Sequence, residues 1–398
     1  MIKNLVALAI GSILLLSCFS SCSPDRQARV DDSTLKQAVE TTKDKYCPDH
    51  RIAVFDVTWE RHGEQIILKG EVDNEEAKNA LMYAVAKEPP NQILDSIAVL
   101  PDSSLGEKKF GIVTLSVGNV RGRPGEAEEL TTQALMGMVV KLLKLRHGYY
   151  YVQMHDKYLG WLESRSVCTA TSKEVHAWTS APKVIVTALW GMVRERPSST
   201  ALPVCDVVAA CLLERLGESG QWTAVRLPDG RKGFIERSIV QDYETWKHTR
   251  KLNGDNIARV AKSMLGIPYL WGGTSPKGMD CSGFTKTVFR LNGLELQRDA
   301  DQQATMGDPV ASTEHLKLLQ RGDLLFFGQK ANGTTPERIT HVGIYLDNQE
   351  FIHCSGSVRL SSFDPQSPRF DERTTRRFVR ARRVLSETSV AEVSKASQ

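Results

Sequence analysis

A cysteine at the start of a helical apolar pattern constrains the fold of this chain more than any other sequence feature. The run from Asp280 to Phe284 reads Asp-Cys-Ser-Gly-Phe, and apolar residues at helical spacing follow it. A helix is therefore predicted to begin at or near Cys281. Unpaired backbone N–H groups and the helix dipole favour an anion at that end, which lowers the pKa of a thiol. The sequence thus predicts an ionised sulfur at a helix N-terminus.

Two later β runs each carry a histidine that could serve this thiol. His341 begins the run to Leu346, His353 lies in the run Phe351–Ser355, and residues 347–349 are turn material. Because side chains alternate along a strand, the two histidines share one sheet face if the loop has an odd number of residues, and three would suffice. His341 would then accept the thiol proton, and His353 would hold its imidazole in the useful tautomer.

These motifs resemble the NlpC-type cysteine peptidases, papain-like enzymes that cut bacterial cell-wall peptides. The likeness covers residues 250–386 and includes Tyr-Leu-Trp-Gly-Gly at 269–273. It implies a helix that bears the cysteine and packs on an antiparallel sheet, with Cys281, His341 and His353 as catalytic residues. It places Tyr269 near the thiol and implies no metal and no cofactor.

Short β runs broken by Gly, Pro, Asn and Asp fill the preceding region, which is typical of small barrels. Two units, 110–165 and 181–242, resemble bacterial SH3-like domains. The second keeps the turn Asp229-Gly230, whereas the first has Asp156-Lys157 at the equivalent hairpin.

Two SH3-like units ahead of an NlpC-type domain resemble the γ-D-glutamyl-L-diamino acid endopeptidases of cell-wall recycling. The resemblance implies peptide substrates with a free N-terminal L-alanine, whose ammonium pairs with a carboxylate at the closed end of a cleft. The matching residues are Asp280 and Ser282 beside the nucleophile, and Glu129 and Tyr158 in the first SH3-like unit. The family often has a serine in the stretch that here reads Arg298-Asp299-Ala300-Asp301-Gln302, which implies one altered substrate hydrogen bond.

The N-terminus reads as an export signal. Lys3 precedes an apolar run that is too short to span a membrane and suits a secretory peptide within 1–22. Cys18 and Cys22 each resemble the acylated cysteine of a bacterial lipobox, and Cys18 has the better preceding leucine. The sequence predicts an exported lipoprotein anchored to a cell membrane on its periplasmic side or at the cell surface.

Residues 33–100 read helix, strand, strand, helix, strand and loosely resemble a BON-type module. A polar tail covers 387–398. The predicted fold is therefore multidomain α+β: a small N-terminal α+β module, two SH3-like β-barrels and a papain-like catalytic domain.

Composition limits the function classes further. The 398 residues carry a net charge of only +4, so the sequence lacks the strongly basic balance expected of a nucleic-acid-binding protein. The eight cysteines form no Cys-x-x-Cys pair, and Cys205 with Cys211 reads equally well as a disulfide or as two buried thiols.

The protein is expected to be a monomer.

Three functions remain open from the sequence alone. They are a recycling endopeptidase that acts on soluble stem peptides, a D,L-endopeptidase that acts on intact peptidoglycan, and a non-catalytic wall-binding lipoprotein.

Overall fold

A computed structural model describes residues 32–63, 65–86, 92–312 and 316–385 of the chain. The predicted signal segment, with Cys18 and Cys22, and the predicted tail lie outside these residues. Within the described ranges, no helix combines the length and apolar character needed to cross a bilayer.

The first unit packs two helices on a three-stranded sheet in the predicted element order. The sheet order is β1-β2-β3, with β1 antiparallel and β3 parallel to β2. Buried Leu35 and Leu81 of the helices meet Ile66 and Leu68, which alternate with less buried residues along the middle strand. The elements are α1 Asp32–Tyr46, β1 Phe55–His62, β2 Gln65–Val72, α2 Glu75–Ala86 and β3 Gln92–Val99.

A seven-stranded antiparallel sheet follows, in the order β10-β4-β7-β8-β9-β5-β6. At the hairpin where glycine is usual, Lys157 itself adopts φ 67°, so the tight turn forms without glycine. The strands are β4 Phe110–Val113, β5 Val117–Arg121, β6 Leu130–Leu135, β7 Val139–Arg146, β8 Tyr149–Gln153, β9 Leu159–Glu163 and β10 Val167–Ala170.

The next sheet repeats this topology strand for strand. Its order, β13-β12-β16-β15-β14-β11-β17, is the same arrangement read from the other edge. Cys205 and Cys211 are both free thiols, so of the two interpretations the structure has the unpaired one. The elements are α3 Ser172–Ser180, which joins the two sheets, then β11 Lys183–Val186, β12 Trp190–Arg194, β13 Pro203–Val208, β14 Leu212–Ser219, β15 Trp222–Arg226, β16 Lys232–Glu236 and β17 Val240–Asp242.

The last unit is built on a six-stranded antiparallel sheet with the order β20-β25-β21-β22-β23-β24. Helix α6 lies against β22 and β23, and its residues from Cys281 to Phe289 are all buried. The elements are α4 Tyr243–Thr249, α5 Gly254–Ser263, β18 Thr274–Ser275, β19 Gly278–Met279, α6 Cys281–Leu291, α7 Ala300–Gln303, β20 Asp308–Ser312, β21 Leu324–Gln329, β22 Arg338–Tyr345, β23 Glu350–Ser355, β24 Ser357–Ser362, α8 Glu372–Thr375 and β25 Phe378–Arg383.

A buried ammonium ties the first seven-stranded sheet to this last unit. Lys286 of α6 is 2% exposed, and its Nζ lies 2.8 Å from Oδ2 of Asp156 in the β8–β9 turn. The same Nζ pairs with Glu295, which also binds Arg290. A charge held this far from water is stable only while its partners remain in place.

Replacing Lys286 with alanine should therefore destabilise the chain by about 3–5 kcal/mol, because it leaves the buried Asp156 carboxylate without its cation. The measurement is chemical denaturation of the K286A variant. Lys36→Ala provides the control, since the Lys36–Glu40 pair is exposed at 3.8 Å and its loss should change the free energy of unfolding by less than about 0.5 kcal/mol. Equal effects of the two substitutions would contradict the role given to Lys286.

Candidate active site

Helix α6 begins at Cys281, as predicted. The Asp280 side chain caps the helix by accepting a hydrogen bond from the Gly283 backbone N–H at 2.7 Å, which is a preferred role for aspartate at this position. Cys281 is 8% exposed and belongs to the apolar core between α6 and the sheet. Because Cys281 is the first residue of the capped helix, the cap fixes the position of its sulfur relative to the sheet.

The two histidines lie on one face of the sheet, as the alternation argument predicted. Strands β22 and β23 pair across a three-residue loop, 347–349, so His341 and His353 fall two positions apart in register on the same side. His341 Nε2 lies 2.8 Å from His353 Nδ1, and the two rings meet edge to face. Among the described residues no hydrogen bond occupies His341 Nδ1, which leaves that nitrogen for proton transfer.

Both imidazoles are neutral at physiological pH. Burial lowers the pKa of His341 to about 4, helped by the positive charge of Arg377. Burial and the neighbouring His341 lower the pKa of His353 to about 3. A neutral imidazole can accept a proton, so the pair has the charge state of a general base.

The expectation of an ionised sulfur is wrong for the resting site. Burial, and after it the negative charge of the Asp280 carboxylate, raise the pKa of Cys281 to about 12. The backbone N–H groups of Val342 and Ser282 favour the thiolate but do not outweigh these effects. The carboxylate that caps the helix therefore offsets the favourable field of the helix end, and the site rests as thiol and imidazole.

Asp280 and Ser282 lie in a buried polar network directly behind the cysteine. Oδ2 of Asp280 accepts hydrogen bonds from Arg298 Nη2 at 2.6 Å and from the Gly272 backbone N–H at 3.0 Å. Oδ1 accepts from Gly283, from Ser282 Oγ at 3.2 Å and from Arg298 Nη1 at 3.2 Å. Five donors fill the acceptor capacity of this carboxylate.

Tyr269 lies beside the thiol, where the sequence placed it. It is half-buried at the edge of the core that contains Cys281. Burial, together with Cys281 and Asp280, raises the pKa of its phenol above the ordinary value. The hydroxyl thus stays protonated and able to donate.

Glu129 and Tyr158 reach this region from the first seven-stranded sheet. Glu129 is exposed, and its Oε1 accepts a hydrogen bond of 2.7 Å from the indole N–H of Trp271. Tyr158 is buried, and its hydroxyl donates to Asp299 Oδ2 at 3.0 Å. Both contacts join the sheet to residues next to Gly272 or Arg298, which bind Asp280.

Sequence reasoning did not assign Arg298, Asp299 or Arg51 to the site. Arg298 is 1% exposed and pairs with Asp280, whereas Asp299 accepts from Tyr158 and, at 2.8 Å, from Arg51 Nη1 of the N-terminal unit. Arg51 lies 248 positions before Asp299 in the sequence, so no local sequence pattern could indicate that the two side chains are in contact. The sequence shows that Arg298 and Asp299 are adjacent and oppositely charged, but it does not indicate their partners.

Cys354 is a core residue, as predicted. It is fully buried on the face of β23 opposite to His353, and its thiol donates to the Met279 carbonyl at 3.1 Å. It therefore packs behind α6 and takes no place beside the imidazoles.

Two sequence families match the chain. Residues 266–380 match the NlpC/P60 family, and residues 120–167 match the bacterial dipeptidyl-peptidase SH3 domain. The first match contains Cys281, His341 and His353, and the second contains Glu129 and Tyr158.

Curated relatives with these domains are named as peptidases. A γ-D-glutamyl-L-lysine dipeptidyl-peptidase of Bacillus cereus is 29% identical over 247 residues, which cover 60% of this chain and 71% of the relative. The murein DD-endopeptidase MepS/murein LD-carboxypeptidase of Escherichia coli is 37% identical over 191 residues, which cover 47% of this chain and 90% of the relative.

Solved structures agree on the fold. An NlpC/P60 family protein from Bacillus cereus aligns with a TM-score of 0.59 and 24% identity, covering 70% of this chain and all of that one. An NlpC/P60 endopeptidase from Photobacterium damselae aligns with a TM-score of 0.53 and 13% identity, covering 89% of this chain and 91% of that one.

The family match and the relatives named as peptidases set aside the non-catalytic interpretation. The chain belongs to the NlpC/P60 family of cell-wall peptidases and carries a bacterial SH3 domain ahead of its peptidase domain.

Proposed function

We propose that this enzyme is a cysteine endopeptidase that hydrolyses the bond between γ-D-glutamate and the diamino acid of stem peptides with a free N-terminal L-alanine. The observation that carries the proposal is the contact of the first SH3-like unit with the nucleophile region. Through Glu129 and Tyr158, that unit contacts Trp271 and Asp299. These two residues are the sequence neighbours of Gly272 and Arg298, which bind Asp280. The likeness to a relative named γ-D-glutamyl-L-lysine dipeptidyl-peptidase supports the same bond.

The proposed nucleophile is Cys281, with His341 as its base. As the sulfur forms its bond to the γ-carbonyl carbon, the thiol proton moves to His341 Nδ1, and the resulting imidazolium gives this proton to the departing amine. Water then attacks the thioester, which releases the γ-D-glutamyl carboxylate and restores the thiol. His353 orients His341 through the 2.8 Å hydrogen bond on its other nitrogen.

The closed end of the cleft is proposed to hold the alanine ammonium. Glu129 is exposed and has free lone pairs beyond its bond with Trp271, so it is the carboxylate that can pair directly with the cation. Asp280 would have to release one of its five donors to do so. We therefore propose that the Asp280 carboxylate attracts the ammonium through its negative charge without direct contact. Ser282 and Tyr269 are proposed to contact the peptide near the thiol.

Tyr158 is proposed to line the same end and to contact the alanine residue. Its hydroxyl is fixed by Asp299, which is held in turn by Arg51 Nη1 at 2.8 Å. The wall of the cleft in this account contains groups from three units of the chain. A substrate extended at the alanine end would meet these side chains.

An endopeptidase that acts on intact peptidoglycan is the second candidate. The observation that favours it is the 37% identity with a murein endopeptidase across nearly all of that relative. Rapid solubilisation of purified sacculi would support this candidate over the first.

The cellular location is proposed from the sequence alone. An exported lipoprotein, acylated at Cys18 or Cys22, would meet wall peptides outside the cytoplasm.

Cys281→Ala should reduce hydrolysis of L-Ala-γ-D-Glu-L-Lys by about 10⁴-fold, because the acyl intermediate cannot form. Turnover is measured by chromatography of the released dipeptide. Cys168→Ala, in β10 of the first seven-stranded sheet, is the control and should leave turnover unchanged. An active C281A enzyme would contradict the assignment of the nucleophile.

Alkylation of Cys281 by iodoacetamide should become faster throughout the range from about pH 5 to pH 9. Below a pKa of about 12 the thiolate fraction rises about tenfold per pH unit, and only the thiolate reacts. The rate is taken as the difference between the wild type and C281A, which removes the contribution of the other thiols. A plateau that begins in acid would instead indicate a resting thiolate–imidazolium pair.

The wild-type enzyme should cleave L-Ala-γ-D-Glu-L-Lys with a kcat/KM about 10–100-fold above that for the N-acetylated peptide. Acetylation removes the charge of the alanine ammonium and with it the proposed ion pair with Glu129. Glu129→Gln should reduce this preference to less than about threefold by lowering activity on the free peptide alone.

Glu126→Gln is the matched control, since Glu126 is an exposed glutamate of the same β5–β6 connection. It should keep the preference of the wild type. Equal cleavage of both peptides by the wild type would contradict the proposed specificity.

A further inference from the structure

The hydrogen bonds of the histidine pair continue past His353 into the sheet. His353 is fully buried, and its Nε2 lies 3.0 Å from Ser361 Oγ on the neighbouring strand β24. Ser361 Oγ lies 3.5 Å from Asp371 Oδ2, and that oxygen is 3.9 Å from His353 Nε2. A row of polar atoms thus runs from the His341 ring to a carboxylate on the far side of His353.

Asp371 is held firmly at the end of this row. It caps α8 by accepting a hydrogen bond of 3.0 Å from the Thr374 backbone N–H, and Arg359 Nη2 donates to its Oδ2 at 2.9 Å. Burial would raise the pKa of Asp371, but the hydrogen bonds from Thr374 and the charge of Arg359 hold it below the ordinary value. Asp371 is therefore ionised at neutral pH, and an ionised carboxylate can only accept.

We propose that Asp371 is a positioning residue that fixes the direction of the hydrogen bonds from His341 through His353 and Ser361. The Ser361 hydroxyl donates to Asp371, so its oxygen accepts the proton on His353 Nε2. His353 Nδ1 then has no proton and accepts from His341 Nε2. His341 Nδ1 is left unprotonated, which is the state in which it can take the thiol proton.

The same atoms permit the opposite direction. Arg359 Nε lies 3.4 Å from His353 Nε2, and donation there would move the His353 proton to Nδ1 and the His341 proton to its own Nδ1. His341 could not then act as the base. The Ser361 contact is shorter, and Asp371 draws the Arg359 guanidinium to itself at 2.9 Å. Only the direction that ends on Asp371 is catalytically competent.

Asp371→Asn tests the inference because asparagine keeps the size of the side chain and an oxygen for the Thr374 cap. Its amide donates towards Ser361 where the carboxylate accepted, and so favours the opposite direction. We expect kcat to fall at least about tenfold with little change in KM. In ¹⁵N NMR of histidine-labelled full-length enzyme, the proton of His341 should move from Nε2 to Nδ1.

Two further variants keep the test decisive. Asp242→Asn is the matched control, because Asp242 caps α4 through the Thr245 N–H at 2.9 Å and lies outside the catalytic sheet. It should change neither kcat nor the histidine spectra. Ser361→Ala removes the link itself and should lower kcat in the same way as D371N.

Three results would overturn the inference. The first is a D371N enzyme with kcat within about twofold of wild type and unchanged tautomers. The second is a loss of activity with both tautomers unchanged, which would assign Asp371 a purely structural role. The third is a fully active S361A enzyme. The inference rests on the proposed base, but the NMR readout reports the tautomers even if C281A shows that Cys281 is not the nucleophile.

Discussion

The buried ion pair between Asp280 and Arg298 holds the rest of the catalytic region in place. Its carboxylate caps the helix that starts at Cys281, binds the Gly272 backbone, and accepts from the Ser282 hydroxyl. A pair with Arg298 at 1% exposure is costly to desolvate and costly to break, so neither side chain can move without its partner. The position of the sulfur is therefore determined by charges that lie behind it.

The residue after Arg298 contacts two other units of the chain. Arg298 is followed by Asp299, and Asp299 binds both Tyr158 of the first SH3-like unit and Arg51 of the N-terminal unit. The buried Lys286–Asp156 pair adds a second connection between the catalytic helix and that SH3-like unit. The Lys286–Asp156 pair has little exposure to water and is therefore screened less by salt than the more exposed Arg51–Asp299 pair.

The electrostatics of the site favour proton transfer during attack over a preformed ion pair. Burial opposes the charged form of each group, so it raises the pKa of the thiol and lowers the pKa of both imidazoles. Asp280 contributes to this balance because it caps the helix and at the same time repels a thiolate. A neutral resting site requires an imidazole whose free nitrogen faces the thiol, which is why the orientation of the His341 and His353 protons matters.

Local patterns in the sequence predicted the elements that carry the chemistry. The helical spacing after Cys281 and the alternation across the 347–349 loop depend only on nearby residues, and both agree with the structure. The sequence could not show the Arg298–Asp280 pair or the Arg51–Asp299 contact, because these depend on how distant units pack. It also misjudged the charge of the Cys281 sulfur, since the cost of burial depends on the surrounding tertiary structure.

The proposed reaction depends on a thioester between Cys281 Sγ and the γ-carbonyl carbon of the D-glutamyl group. Rapid acid quenching of the enzyme with L-Ala-γ-D-Glu-L-Lys, followed by mass spectrometry of its peptides, would trap and locate this thioester. We expect an L-Ala-γ-D-Glu acyl group on the peptide that contains Cys281. Turnover with the acyl group on a different residue, or without any acylated peptide under conditions that trap thioesters, would contradict it.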